Sequence, residues 1–199
     1  MDKPLQRRSS GPRTFDRDKA IETAMRLFRR HGYEDVSVAD LTQAIGIAPP
    51  SLYAAFGSKA GLYREALDRY TTLPGALDGL AGAQTFEDAV EGLLRAAIKV
   101  VVAEERGCMI STGLIEGAAE QQELARELAE RRATLRGRIA DGLRPWLPQA
   151  DADRLATYLL AVQQGIAVQA RDGASEAELL LIRDEVMVGV RSRLQATPS

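Results

Sequence analysis

The segment "GIAPPSLYAAFGSK", Gly46 to Lys59, carries hydroxyls, a phenol and an amine along a stretch of short, stiffened backbone. Groups of this kind grip an anionic or hydrogen-bonding partner rather than break bonds in it. Proline suits the first turn of a helix, where its missing N–H has no partner to lose. Pro49 and Pro50 therefore fit the first two positions of a helix running to about Ala55, with Phe56-Gly57 ending it. Ser58 caps a further helix that begins at Lys59. Leu52 and Phe56 are the inward anchors of the short helix, and Ser51, Ala54 and Ala55 face outward. Groups able to do covalent or metal chemistry are sparse. Cys108 is the single cysteine and His31 the single histidine, far apart in the chain, so neither a metal-ligand cluster nor an internal disulfide can form from them. No Gly-rich phosphate loop and no nucleophile–base pair stands at motif spacing, which argues against an enzyme.

The elements that hold this segment are legible on both sides. Asp16 caps a helix whose Ile21, Ala24, Met25 and Phe28 recur on one face, and Gly32 closes it just after His31. Ser37 with Asp40 forms a capping box opening a helix from Val38 to Ile45, which Gly46 stops. Helix, turn of about three residues and helix make a helix-turn-helix, the arrangement that sets its second helix into the DNA major groove.

Downstream, Thr85 with Asp88 caps a helix whose Phe86, Ala89, Val90, Leu93, Leu94, Ala97 and Val101 share a face. "GCMISTGLIEGA" is expected to be helical. Glu120–Leu143 is helical until "RPWLPQ" breaks it, with Trp146 as an apolar plug. Helices over about Asp151–Ala170 and Ser175–Leu194 complete an all-α chain of about nine helices.

Charge is uneven. The first 60 residues hold 10 Lys and Arg against 7 Asp and Glu, whereas the whole chain has a net charge of −2, so a polyanion is expected at the N-terminal end. Residues 1–13, with Arg7, Arg8 and Arg13, read as a flexible basic arm. No apolar run approaches the length of a membrane span, and no apolar stretch follows the basic start as in a signal peptide. With one cysteine as well, a cytoplasmic protein without membrane partners is expected.

From Phe15 to Thr71 the sequence "AIETAMRLFRRHGYEDVSVADLTQAIGIAPPSLYAAFGSKAGLYREAL" resembles the DNA-binding domain of the TetR/AcrR family of bacterial transcriptional regulators. The match runs through "LF..HGY", the "A.G" turn, "SLYAAF" and "SK..L". The resemblance implies phosphate contacts for Ser37, Tyr53 and Lys59 and a base-edge position for Pro49, Pro50 and Ser51. It leaves Arg13 to reach the backbone or minor groove. Ala48 stands where many members have Ser or Thr, so base readout rests on few groups and on DNA shape.

The same resemblance implies a division into the arm, a DNA-binding domain over 14–72 with the helix-turn-helix at about 37–56, and an effector-binding and dimerisation domain over 73–199. A homodimer on a palindromic operator follows, its four-helix interface drawn from the last two helices. Leu155, Ala156, Leu159, Val162, Gly165, Ile166, Ile182, Val186 and Val190 are the candidates there, with Ala161 beside Gly165 permitting close approach. An unidentified small molecule among helices 86–143 would relieve repression. Activation by the same chemistry, or a helical module that grips protein, are the alternatives. Cys108 is either a redox sensor or a small buried hydrophobe. No cofactor is implied.

Overall fold

The computed structural model describes residues 15–103, 107–111 and 119–196. The described residues form eight α-helices, one 3-10 helix and no strand. In order these are α1 (Arg17–His31), α2 (Val38–Ile45), α3 (Pro49–Phe56), α4 (Lys59–Thr71), the 3-10 helix (Ala76–Leu80), α5 (Phe86–Val102), α6 (Ala119–Leu143), α7 (Gln149–Arg171) and α8 (Glu176–Ala196).

Local signals set most of these boundaries. The Asp16 carboxylate accepts from the Lys19 N–H at 3.1 Å and starts α1. Gly46 ends α2 in the left-handed region, at φ 79°, where a residue with a Cβ would be strained. Pro49 and Pro50 occupy the first two positions of α3, as their fixed φ favours.

Two apolar cores result. The first packs α1 to α4 around Phe28, Leu41, Leu52, Tyr63 and Leu67. Tyr63 meets Phe28 and Tyr33 edge-on, with ring centroids 4.9 and 5.1 Å apart, the preferred aromatic arrangement. The second wraps α6, α7, α8 and the 3-10 helix around α5, centred on Leu93, Leu94, Ile98, Leu159 and Ile166.

The first core is not made by the N-terminal segment alone. Met109, Leu124 and Leu128 are fully buried within it. Polar links reinforce this join. The Tyr63 hydroxyl donates to the Met109 carbonyl at 3.3 Å, Arg64 donates to Glu127 at 2.9 Å, and Arg171 at the end of α7 donates to the His31 carbonyl at 2.6 Å. Arg29 donates to the Val100 carbonyl at 3.1 Å and lies over the Tyr70 ring. These contacts join the two cores, with Arg64 and Glu127 linking α4 to α6.

Three expectations change. Residues 107–111 form a bend and turn, not a helix; Gly107 takes φ 110°, and the turn inserts Met109 into the first core. The rest of that predicted helix, and Arg13 with the basic arm, lie outside the described residues. The 3-10 helix escaped notice because its Gly-rich sequence has no helical period; the Asp78 carboxylate tying down the Gly75 N–H at 2.8 Å is its local cause. Finally, Leu155, Ala156, Leu159, Ile166, Val186 and Val190 are buried in this chain's own second core. The apolar face proposed for a partner is thus the face that closes this chain's own core, because period alone cannot say which side of a two-sided helix meets which neighbour. Gly165 is exposed, and Val162 and Ile182 are half-buried.

Candidate functional site

The helix-turn-helix presents α3 as a short exposed ridge. Leu52 and Phe56 are buried beneath it, while Pro49, Pro50, Ser51, Tyr53 and Ala54 all face solvent. Tyr53 is 50% exposed with its ring outward. Removing such an aromatic from water requires a partner, and a phenol hydroxyl can donate to phosphate.

Ser37 and Lys59 flank this ridge, but each is already engaged. The Ser37 hydroxyl donates to the Asp40 carboxylate at 2.6 Å and accepts from the Asp40 N–H at 3.1 Å. The Asp40 carboxyl is held below its usual value first by the Ser37 hydroxyl and then by the Ser37 N–H. The folded state therefore favours the carboxylate, and this contribution is present above the ordinary Asp value and lost as pH falls below it. Lys59 lies with its Nζ 4.1 Å from the centre of the Tyr33 ring. Partial burial pulls its pKa below the ordinary lysine value, opposed by Glu34, Asp35 and Asp40. The amine is thus parked on an aromatic face at the edge of the ridge, within reach of a phosphate that would compete for it.

Arg17 is a neighbour the sequence reading passed over. It pairs with Glu65 at 2.6 Å and lies 5.0 Å from the Phe56 ring centre, clamping the end of α3 against α1 and α4.

A cavity of about 730 Å³ opens on the other side of α4. The end of α4 (Tyr70 and Thr71) with Thr72 just beyond it, the 3-10 helix, α5, α6 and Gln163 of α7 form its walls, and Cys108 lines it. Its volume falls in the range of small-molecule sites. Burial first, then the adjacent Cys108 thiol to which it hydrogen-bonds, push the Tyr70 phenol far above its usual pKa, so it stays neutral. Cys108 is half-buried and has no disulfide partner. Among the described residues no group of three His, Cys, Asp or Glu side chains is placed to hold a metal ion. None of the described helices is long and apolar enough to cross a membrane.

Residues 20–66, which span the helix-turn-helix and most of α4, match the family model described as bacterial regulatory proteins, tetR family. Over the longer chain, the HTH-type transcriptional repressor ComR of Escherichia coli is 32% identical, covering 86% of this chain and 87% of that protein. The chain belongs to the TetR family. The HTH-type transcriptional repressor BdcR of Escherichia coli is also 32% identical, covering 84% of this chain and 85% of its own. A solved structure of a cysteine-substituted form of the TetR family regulator CifR, complexed with 26-bp double-strand operator DNA, superimposes with a TM-score of 0.80 at 34% identity. It covers 95% of this chain and all of its own. Family membership makes the chain a DNA-binding transcriptional regulator of the helix-turn-helix type.

Two features of this TetR-family chain were absent from the sequence reading. Gln163 is 5% exposed, and its Nε2 has no hydrogen-bond partner among the described residues. The signal was present: it is the one polar position on the buried face of α7, between Leu159, Leu160 and Ile166, Ala167. Arg171, which grips the end of α1, stood at a helix end where a basic residue needs no special explanation. For the capping box, Ser37→Ala is expected to cost about 1 kcal/mol and to lower the melting temperature by about 2–4 °C. An unchanged melting curve would remove the cap from the account of α2.

Proposed function

We propose that this regulator is a homodimeric repressor that holds a palindromic operator through α2 and α3 and releases it when a small molecule fills the cavity behind α4. The observation that carries this reading is the shared element: α4 follows the DNA-facing ridge directly and its last turn walls the cavity. A ligand that prefers one orientation of α4 shifts the population of the whole N-terminal body, since Arg64 and the buried Leu124 and Leu128 tie α4 to α6 and Tyr63 ties it to the turn at Met109. The names of ComR and BdcR as repressors, and the operator DNA held by the CifR form, support the same direction.

For the dimer, the surface of α7 and α8 supports a face different from the predicted one. Tyr158 and Val168 on α7, and Leu181 and Val188 on α8, are large apolar side chains left in solvent, Leu181 at 64% exposure. A Cβ placed at Gly165 or Gly189 would meet nothing within 4 Å, so two such helix pairs can approach closely. Two-fold packing would set the recognition helices about 34–36 Å apart, one helical turn of DNA.

The test is a Leu181→Arg, Val188→Glu double variant studied by light scattering and footprinting. Wild type is expected to run as a dimer and protect two half-sites about one helical turn apart. The double variant is expected to be a folded monomer with operator affinity lowered at least about tenfold through lost avidity. A wild-type monomer protecting a single continuous site would contradict the dimeric reading.

A further inference from the structure

The cavity behind α4 is lined by apolar side chains, by the hydroxyls of Thr71, Thr72, Ser111 and Thr134, and by one buried amide. Ala97, Val101 and Tyr70 are buried in its wall, and Leu135 is half-buried there. Gln163 joins them almost completely buried, its Nε2 without a hydrogen-bond partner among the described residues. A buried amide N–H left unpaired is unfavourable, and buried polar groups in folded proteins are nearly always satisfied. On the same face of α7 every neighbouring buried position is Leu, Ile or Ala, so packing alone would be served by another aliphatic residue.

We propose that Gln163 is the specificity residue of this cavity, and that the effector is an apolar molecule carrying a neutral hydrogen-bond acceptor, a carbonyl above all. The proposal rests on reading the cavity as the effector site. A carbonyl oxygen reaching the floor takes the unused amide N–H, and its apolar body fills the space against Leu135, Ala97 and Val101. A carboxylate fits less well. The floor offers it a neutral amide, and a buried charge needs a countercharge. Of the two cations that line the cavity, Arg131 is paired with Asp68, and Arg138 is exposed to solvent, unlike the buried amide. A hydrocarbon of the same shape would enter but leave the amide unpaired, and sites built around such a bond discriminate against ligands that lack it.

Three probes of similar shape separate these classes: benzophenone (ketone), diphenylmethane (hydrocarbon) and diphenylacetate (carboxylate). Each is titrated calorimetrically into the full-length protein and into Gln163→Met, with operator affinity measured in parallel. Wild type is expected to bind benzophenone at least about tenfold more tightly than diphenylmethane, and diphenylacetate more weakly than benzophenone. In Gln163→Met the preference for the ketone should fall to within about twofold. That variant should melt at the same temperature as wild type or higher, because an unpaired polar group has been removed.

Equal binding of ketone and hydrocarbon, tightest binding of the carboxylate, or no binding of any probe would each overturn the assignment of Gln163. Equal binding accompanied by operator release would do so while leaving the cavity as the effector site. A Gln163-dependent preference for the ketone with no change in operator affinity would do the reverse: the recognition would stand, and the cavity would lose its regulatory role.

Discussion

Ser51→Glu is expected to lower operator affinity at least about 100-fold without weakening the fold. Ser51 is the third residue of α3, exposed on the outward ridge. The Ala48 cap of that helix supplies no side-chain hydrogen bond. A glutamate there lies in the first turn, at the positive end of the helix, which favours it by about 0.3–1 kcal/mol. On DNA the same carboxylate would enter a groove walled by phosphates. Like charges brought together at an interface cost several kcal/mol, and about 2.7 kcal/mol is already 100-fold. Melting temperature and operator affinity should therefore move independently: the first unchanged or slightly higher, the second nearly abolished. Ser51→Ala, which removes one hydroxyl and adds no charge, is expected to cost less than about tenfold. If Ser51→Glu bound the operator as wild type does, α3 would not be the element in the groove.

Gly92→Ala should give a large loss of stability for a single added methyl group. Gly92 of α5 and Gly79 of the 3-10 helix face each other backbone to backbone. A Cβ at Gly92 would overlap the Gly79 carbonyl oxygen and lie 3.1 Å from its carbon, and a Cβ at Gly79 would lie 2.7 Å from the Leu93 nitrogen. Neither obstacle is a flexible side chain, so one of the two helices must move. Overpacking of this kind costs about 3 kcal/mol, a fall of about 6–12 °C in melting temperature for a chain of this size. The 3-10 helix also walls the cavity through Ala76, Leu77 and Asp78, so the shift should reshape the ligand site as well. Gly137→Ala is the control. Gly137 lies inside α6, where an added Cβ meets nothing within 4 Å, and there the change should stabilise by about 0.5–1 kcal/mol. Equal melting curves for the two variants would mean that the close approach of α5 and the 3-10 helix is not maintained in solution.

The two glycines also mark where the sequence stopped speaking. Capping pairs such as Ser37 with Asp40 and Thr85 with Asp88 act over three residues, so they were visible in the chain and recur as hydrogen bonds in the structure. The adjacent prolines of α3 were legible for the same reason. Gly79 and Gly92 carry no local pattern, since their meaning is a long-range close approach. Met109 shows the same limit: the Gly-punctuated stretch that holds it was expected to be helical, whereas its burial in the first core goes with a turn over residues 107–111. On α7 the period correctly found the apolar face at Leu155, Leu159 and Ile166 but assigned it to a second copy. The exposed side, with Tyr158 and Val168, looked like ordinary surface until the fold showed what already covers the other side. Gln163 was legible as the one polar position on that apolar face, but that its amide lacks a partner shows only once the fold is in place.

The DNA-binding claim is tested most directly by fluorescence anisotropy of the full-length protein on the DNA upstream of its own gene. Random duplex serves as the reference, each titrated from low to near-physiological salt. The expected result is tighter binding to the upstream DNA, with log affinity falling linearly against log salt at a slope set by the phosphates contacted, about −0.9 for each. Ser51→Glu should lose that binding. Salt-independent binding, or equal affinity of wild type and Ser51→Glu for the upstream duplex, would contradict a groove-reading role for α3.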